Sequence, residues 1–133
     1  MAKTRILVVD DEEGMLEVCG DTLAKLPEAE IILEQQSRRG AERWANESFD
    51  LLITDVRMPG FGGLSLLRLA RQYDPHTAVL MITAYPTVET AVESMKLGAA
   101  DYIAKPFLPE DLLATVQRLL EGKRLREENR LLR

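Results

Sequence analysis

The chain has one cysteine, Cys19, so no disulfide can form within it and no set of thiolates is on hand to hold a metal. Cys19 falls in an apolar helical pattern and reads as core. Long hydrophobic runs are also missing. The opening stretch "MAKTRILVVDDEE" has an apolar run of only four residues before acids begin. That is too short for a signal peptide or a membrane span, which predicts a cytoplasmic protein without membrane contact. Positive charge is in the minority: 17 Lys and Arg against 22 Asp and Glu give a net charge of −5. Affinity for phosphate backbones comes mainly from Lys and Arg, so direct nucleic-acid binding by this domain is not expected. There is no internal repeat and no low-complexity linker. At 133 residues the chain is long enough for one domain with a real core and too short for two ordinary ones.

What the chain does have is hydrophobicity in short, regularly spaced pieces. Residues Ile6–Val9, Ile31–Leu33, Leu51–Ile53, Val79–Ile82 and Tyr102–Ala104 are apolar runs of strand length, the kind buried on both faces of a parallel sheet. Between them lie helical spacings, such as Met15, Cys19, Leu23 and Leu26 before Pro27, or Val88, Ala91, Val92 and Met95 before Gly98. Gly98 stands where a left-handed helix cap is wanted, and Pro86 suits a helix's first turn. Trp44, near Ala41 and Ala45, reads as packing a short helix onto the sheet. Strands alternating with helices predict an α/β fold, a doubly wound five-stranded parallel sheet with right-handed crossovers and helices on both faces.

In such a sheet the carboxyl ends of the strands form one rim, where ligands bind. That rim would collect Asp10 and Asp11, Asp55 from "LLITDVRMPG", Thr83, and Lys105. Each has an ordinary explanation taken singly: the aspartates as helix or turn caps, the threonine as a strand residue, the lysine as a solvated end. Together they form complementary chemistry. Three convergent carboxylates repel one another unless a cation sits among them, and hard oxygen donors suit Mg²⁺. A lysine can pair with a phosphate oxygen, a threonine can donate to another, and a carboxylate can itself be the nucleophile that becomes an aspartyl phosphate.

The stretches "ILVVDDEE", "LLITDVRMPGFGG", "MITAY" and "GAADYIAKPF" resemble, in order and spacing, the motif regions of the receiver domain of two-component response regulators. The resemblance covers Arg5 to about Leu120. It implies the flavodoxin-like strand order 2-1-3-4-5, which puts strands one and three side by side. By resemblance, Asp55 is the phosphoacceptor served by a sensor histidine kinase. Asp11 and Asp55 ligate Mg²⁺, with Asp10 often acting through water and the Arg57 backbone carbonyl completing the protein ligands. Lys105 pairs with the phosphoryl group, Thr83 turns its hydroxyl toward it, and Tyr102 matches the aromatic switch. The peptide from Lys105 to Pro106 is typically cis in the family. The resemblance implies a phosphoacceptor that assists its own phosphorylation and dephosphorylation, and not an enzyme working on a separate substrate.

Two other classes use similar parts. A phosphatase of the haloacid dehalogenase type wants an Asp-x-Asp nucleophile on the first strand, where this chain has adjacent acids. A flavodoxin-like flavin binder needs a phosphate-cradling loop where this chain puts four acids that would repel phosphate. A receiver that signals without phosphate is the alternative within the fold. The reading therefore divides the chain into a receiver at 1–120 and a helical extension or linker at 121–133, leading to an output domain outside this sequence. That last segment is net basic, with Leu125, Asn129 and Leu132 on one face in the d, a and d positions of a heptad, and it predicts a homodimer. "REENRLLR" resembles the endings that follow receivers of nitrogen-regulatory type, where a helix leads to an ATPase module that activates transcription.

Overall fold

The computed structural model describes residues 3–58, 60–84 and 86–131, the last three of these by backbone alone. Strands and helices alternate along the chain: β1 (Thr4–Val9), α1 (Glu13–Leu23), β2 (Ala29–Glu34), α2 (Ser37–Asn46), β3 (Leu51–Asp55), α3 (Gly63–Tyr73), β4 (Ala78–Thr83), α4 (Val88–Lys96), β5 (Asp101–Ala104) and α5 (Pro109–Leu131). The strands form one parallel sheet in the order β2-β1-β3-β4-β5. This is the flavodoxin-like arrangement that the motifs imply.

Successive side chains of a strand point to opposite faces, so a strand apolar at every position feeds two cores. Ile6, Val8, Leu51, Ile53, Leu80 and Ile82 pack with Cys19 and Leu23 of α1 and Leu112 and Val116 of α5. Leu7, Val9, Leu52, Val79 and Met81 pack on the other side with Trp44 of α2 and with Leu66, Leu67 and Ala70 of α3. Trp44 packs as the sequence suggests, stacked on Phe49 with ring centroids 5.5 Å apart. The strands run further than the apolar runs: Thr4, Glu34, Asp55 and Thr83 are all strand residues. Backbone ladder bonds extend the strands irrespective of side-chain polarity, which an apolar count does not register.

Helix ends differ from the sequence reading in two places. α1 stops at Leu23, so Leu26 lies beyond the helix and packs against the core from the turn that follows. Gly98 has φ 103° and follows α4 as expected, a conformation that costs glycine little. Pro86 lies just outside α4, because Thr87 is the N-cap, accepting from the Thr90 backbone N–H while Thr90 Oγ1 accepts from the Thr87 N–H. A side-chain cap supplies what a proline at the first helical position cannot. At the other end of the sheet α5 continues as one helix through Gly122. Buried Lys123 fixes it there, donating to Asp50 Oδ1 at 3.1 Å and to Glu127 Oε1 at 2.7 Å. Of the heptad positions, Leu125 is exposed. Leu132 and the Asn129 side chain lie outside the described residues.

Cys19 is fully buried. Burial, reinforced by the negative charge of Asp10, pushes its thiol up to about 12. The thiolate is the reactive species, and at pH 8 the thiol stays almost entirely protonated. Iodoacetamide should therefore modify the folded protein far more slowly than the urea-unfolded chain, with a native rate that rises as pH rises. Equal rates in the two states would contradict this placement of Cys19.

Candidate functional site

The order β2-β1-β3 sets the ends of β1 and β3 beside each other, with Val9 in register with Thr54. Asp10 directly follows β1 and Asp55 ends β3. Carboxylate oxygens of Asp10, Asp11 and Asp55 all lie within 4.8 Å of one another. Asp10 and Asp55 are buried, and Asp11 is more open to solvent. Asp55 is held from two sides. The Arg57 backbone N–H donates to Oδ1 at 3.0 Å, and Lys105 Nζ donates to Oδ2 at 2.8 Å. The turn after β3 can close this tightly because Gly63 opens α3 with no side chain. A Cβ there would sit 1.8 Å from the Asp55 carbonyl oxygen.

Lys105 follows β5, on the far side of β4 from Asp55, and reaches across the rim. Its ammonium bridges Asp55 and Asp10, the latter at 2.9 Å, and lies 3.4 Å from Glu12 Oε1. Burial by itself would pull the Lys105 pKa down, but the bonds to Asp55 and Asp10 outweigh it and hold the pKa above the ordinary lysine value. Burial also pushes the Asp10 carboxyl above its ordinary range, against the opposing pull of the Glu12 N–H and Lys105. The cost of placing two buried carboxylates side by side is thus offset by one buried ammonium. The peptide bond that follows, Lys105 to Pro106, is cis.

Thr83 is buried at the end of β4, in register with Ala104, and its carbonyl accepts the Lys105 N–H at 2.7 Å. β4 separates β3 from β5, so Thr83 lies between the strands that deliver Asp55 and Lys105. Tyr102 is half-buried on β5, away from the acids, with its hydroxyl 2.9 Å from Thr90 Oγ1. The rim therefore brings Asp10, Asp55 and Lys105 into direct contact, with Asp11 within 4.8 Å of the two aspartates, Thr83 in the strand between and Tyr102 one step removed. Three participants escape the sequence reading. Glu12 is only one more acid in "VVDDEE", Gly63 is only the second glycine of "GFGG", and nothing in the sequence marks Thr90.

Residues 6–117 match the family described as the response regulator receiver domain. The chain belongs to that family. Among relatives of this receiver, the response regulator protein FleR of Pseudomonas aeruginosa is 42% identical over 119 residues, covering 90% of this chain and 25% of FleR. The chain thus spans about a quarter of that relative's length. Among solved structures, NtrX from Brucella abortus superimposes with a TM-score of 0.90 at 29% identity, covering 98% of the receiver and 30% of NtrX. A beryllofluoride-activated NtrC4 receiver domain dimer matches with a TM-score of 0.83 at 28% identity, covering 90% of this chain and 98% of that one. These regulators agree with the nitrogen-regulatory type that the sequence resembles. Among the described residues, no helix is long and apolar enough to cross a membrane.

Proposed function

We propose that this receiver takes a phosphoryl group from a sensor histidine kinase onto Asp55 and thereby switches an output domain or a dimer state. The observation that carries this reading is the Asp55 carboxylate, fixed at a strand end by the Arg57 N–H and the Lys105 ammonium beside two further acids. In the transfer an Asp55 oxygen attacks phosphorus. The new P–O bond forms as the P–N bond to the kinase histidine breaks, and the imidazole nitrogen keeps the electron pair.

The donor set fits Mg²⁺: three carboxylates with convergent oxygens, two of them buried against one ammonium as their counter-charge. Asp10, Asp11, Asp55 and the Arg57 backbone carbonyl would hold the ion. When bound, it would neutralise the acids and the charge on the transferring group. The Lys105 ammonium would pair with a phosphoryl oxygen, and the Thr83 hydroxyl would donate to another. Thr83 and Tyr102 would then carry the change outward by shifting position.

The test is chemical. Incubation with acetyl phosphate and Mg²⁺ should place one acyl phosphate, labile to hydroxylamine, on the tryptic peptide that contains Asp55. Phosphate resistant to hydroxylamine, or carried by another peptide, would overturn the assignment.

The segment 121–133 is proposed as the helical link to an output domain and as a dimer contact, with the receiver proper at 1–120. The exposed Leu125 on α5 supports this, as does the dimeric form of the NtrC4 receiver. Sedimentation of the chain with and without Glu121 to Arg133 at high micromolar concentration should show association lost on truncation. Unchanged association would remove the segment from any dimer contact.

A further inference from the structure

The hydroxyls of Thr87, Thr90 and Tyr102 form one connected cluster between the start of α4 and the middle of β5. Thr90 is its centre. Its Oγ1 lies 2.9 Å from the Tyr102 hydroxyl and 2.9 Å from Thr87 Oγ1, accepts the Thr87 N–H at 3.3 Å, and is 3.1 Å from the Thr87 carbonyl as donor. The capping box of α4 and the orientation of the Tyr102 ring are therefore fixed by the same atom.

Two covalent routes lead from the rim to this cluster. Along β4, Thr83 is followed by a short connection that ends at Thr87. Along β5, Tyr102 lies within the strand and Lys105 directly follows its end, with the Lys105 N–H bonded to the Thr83 carbonyl. A group on Asp55 that redirects Lys105 and draws Thr83 pulls both ends of the Thr90 cluster. Little else resists such a pull on α4. Ser94 is its one buried residue, and the Ser94 hydroxyl has no hydrogen-bond partner among the described residues, while Val88, Val92 and Met95 are exposed.

We propose that Thr90 is a positioning residue for the phosphorylation response: its hydroxyl locks Tyr102 to the first turn of α4, and the change driven from Asp55 must break that lock. The proposal rests on the phosphoacceptor reading above. The bond coexists with a Lys105 ammonium seated on Asp10 and Asp55, an arrangement that a phosphoryl group on Asp55 must displace, so removing the bond favours the modified form through linkage. Thr90→Val keeps the backbone bond from residue 90 to Thr87 Oγ1 and loses only the bonds made by the hydroxyl. Tyr102→Phe deletes the same contact from the other side and leaves the capping box whole.

The probe is beryllofluoride with Mg²⁺, titrated into the chain and followed by the amide resonances of α4. Net hydrogen-bond contributions imply that Thr90→Val and Tyr102→Phe each bind it roughly three- to tenfold more tightly than wild type. The Thr90–Tyr102 bond is the contact the two variants share, so the double variant should bind no more tightly than Thr90→Val alone. Thr90→Ser, which retains the hydroxyl, should match wild type. Unchanged or weaker binding by Thr90→Val, or effects that multiply in the double variant, would overturn the lock. Wild-type chain that does not bind the probe at all would sink the phosphoacceptor reading and the lock with it, whereas normal wild-type binding with an unaffected Thr90→Val sinks the lock alone.

Discussion

Asp55→Asn should reduce phosphoryl incorporation from acetyl phosphate to background while leaving the fold intact. The two consequences have separate causes. An amide oxygen is not a competent nucleophile for phosphorus, so the covalent step is lost. The side-chain carbonyl can still accept the Arg57 N–H that Asp55 Oδ1 now accepts, so the turn after β3 keeps its closing bond. The loss of the charged contact to Lys105 at 2.8 Å is opposed by relief of repulsion among Asp10, Asp11 and residue 55. The net change in stability should be within about 1 kcal/mol. Intact mass after incubation reads the first effect and urea unfolding the second. Incorporation at the wild-type level in the variant would show that another residue is the acceptor.

Lys105→Met should unfold readily without divalent cation and recover when Mg²⁺ is supplied. The Lys105 side chain is 7% exposed, and it faces Asp10 and Asp55 carboxylates that are 3% and 7% exposed. Removing the ammonium between two buried carboxylates leaves uncompensated charge, which costs about 3–5 kcal/mol. For a domain of this size that corresponds to a fall in Tm of roughly 10–20 °C. A divalent cation bound by the same acids supplies the missing charge, and binding to the folded state alone stabilises it by mass action. Saturating Mg²⁺ should accordingly raise the Tm of Lys105→Met more than that of wild type, where the ion has an ammonium to displace. Thermal melts in chelator and in excess Mg²⁺ measure both. An equal Mg²⁺ shift in the two proteins would show that Lys105 and the cation do not share these carboxylates.

The features legible in the amino-acid sequence are those that a local pattern encodes. Apolar runs at Ile6–Val9, Leu51–Ile53 and Val79–Ile82 specify strands buried on both faces, because side chains apolar at every position suit an element with a core on each side. Alternation with helical spacings then determines a parallel sheet, since parallel neighbours require a crossover. The acids, the threonine and the lysine are also legible as strand-end residues, for the rim follows from strand direction alone. Their order along the chain and their spacing are specific enough to indicate the family.

How those residues meet is a property of the folded chain. Lys105 is 50 positions from Asp55 and 95 from Asp10, and it is the strand order that lets one ammonium bridge both carboxylates. Glu12 joins them because the chain turns directly after Asp10, whose Oδ1 accepts the Glu12 N–H. Gly63 is required because the Asp55 carbonyl lies where its Cβ would be, a clash that no spacing rule reveals. Thr90 carries no signal of its own: a threonine on a helix is ordinary, and its contact with Tyr102 exists only because α4 and β5 pack side by side. Local propensity and hydrophobic period act over a few residues and are written in the sequence. Hydrogen bonds between side chains distant in sequence depend on register, helix rotation and close packing, and these become definite only when the whole chain has folded.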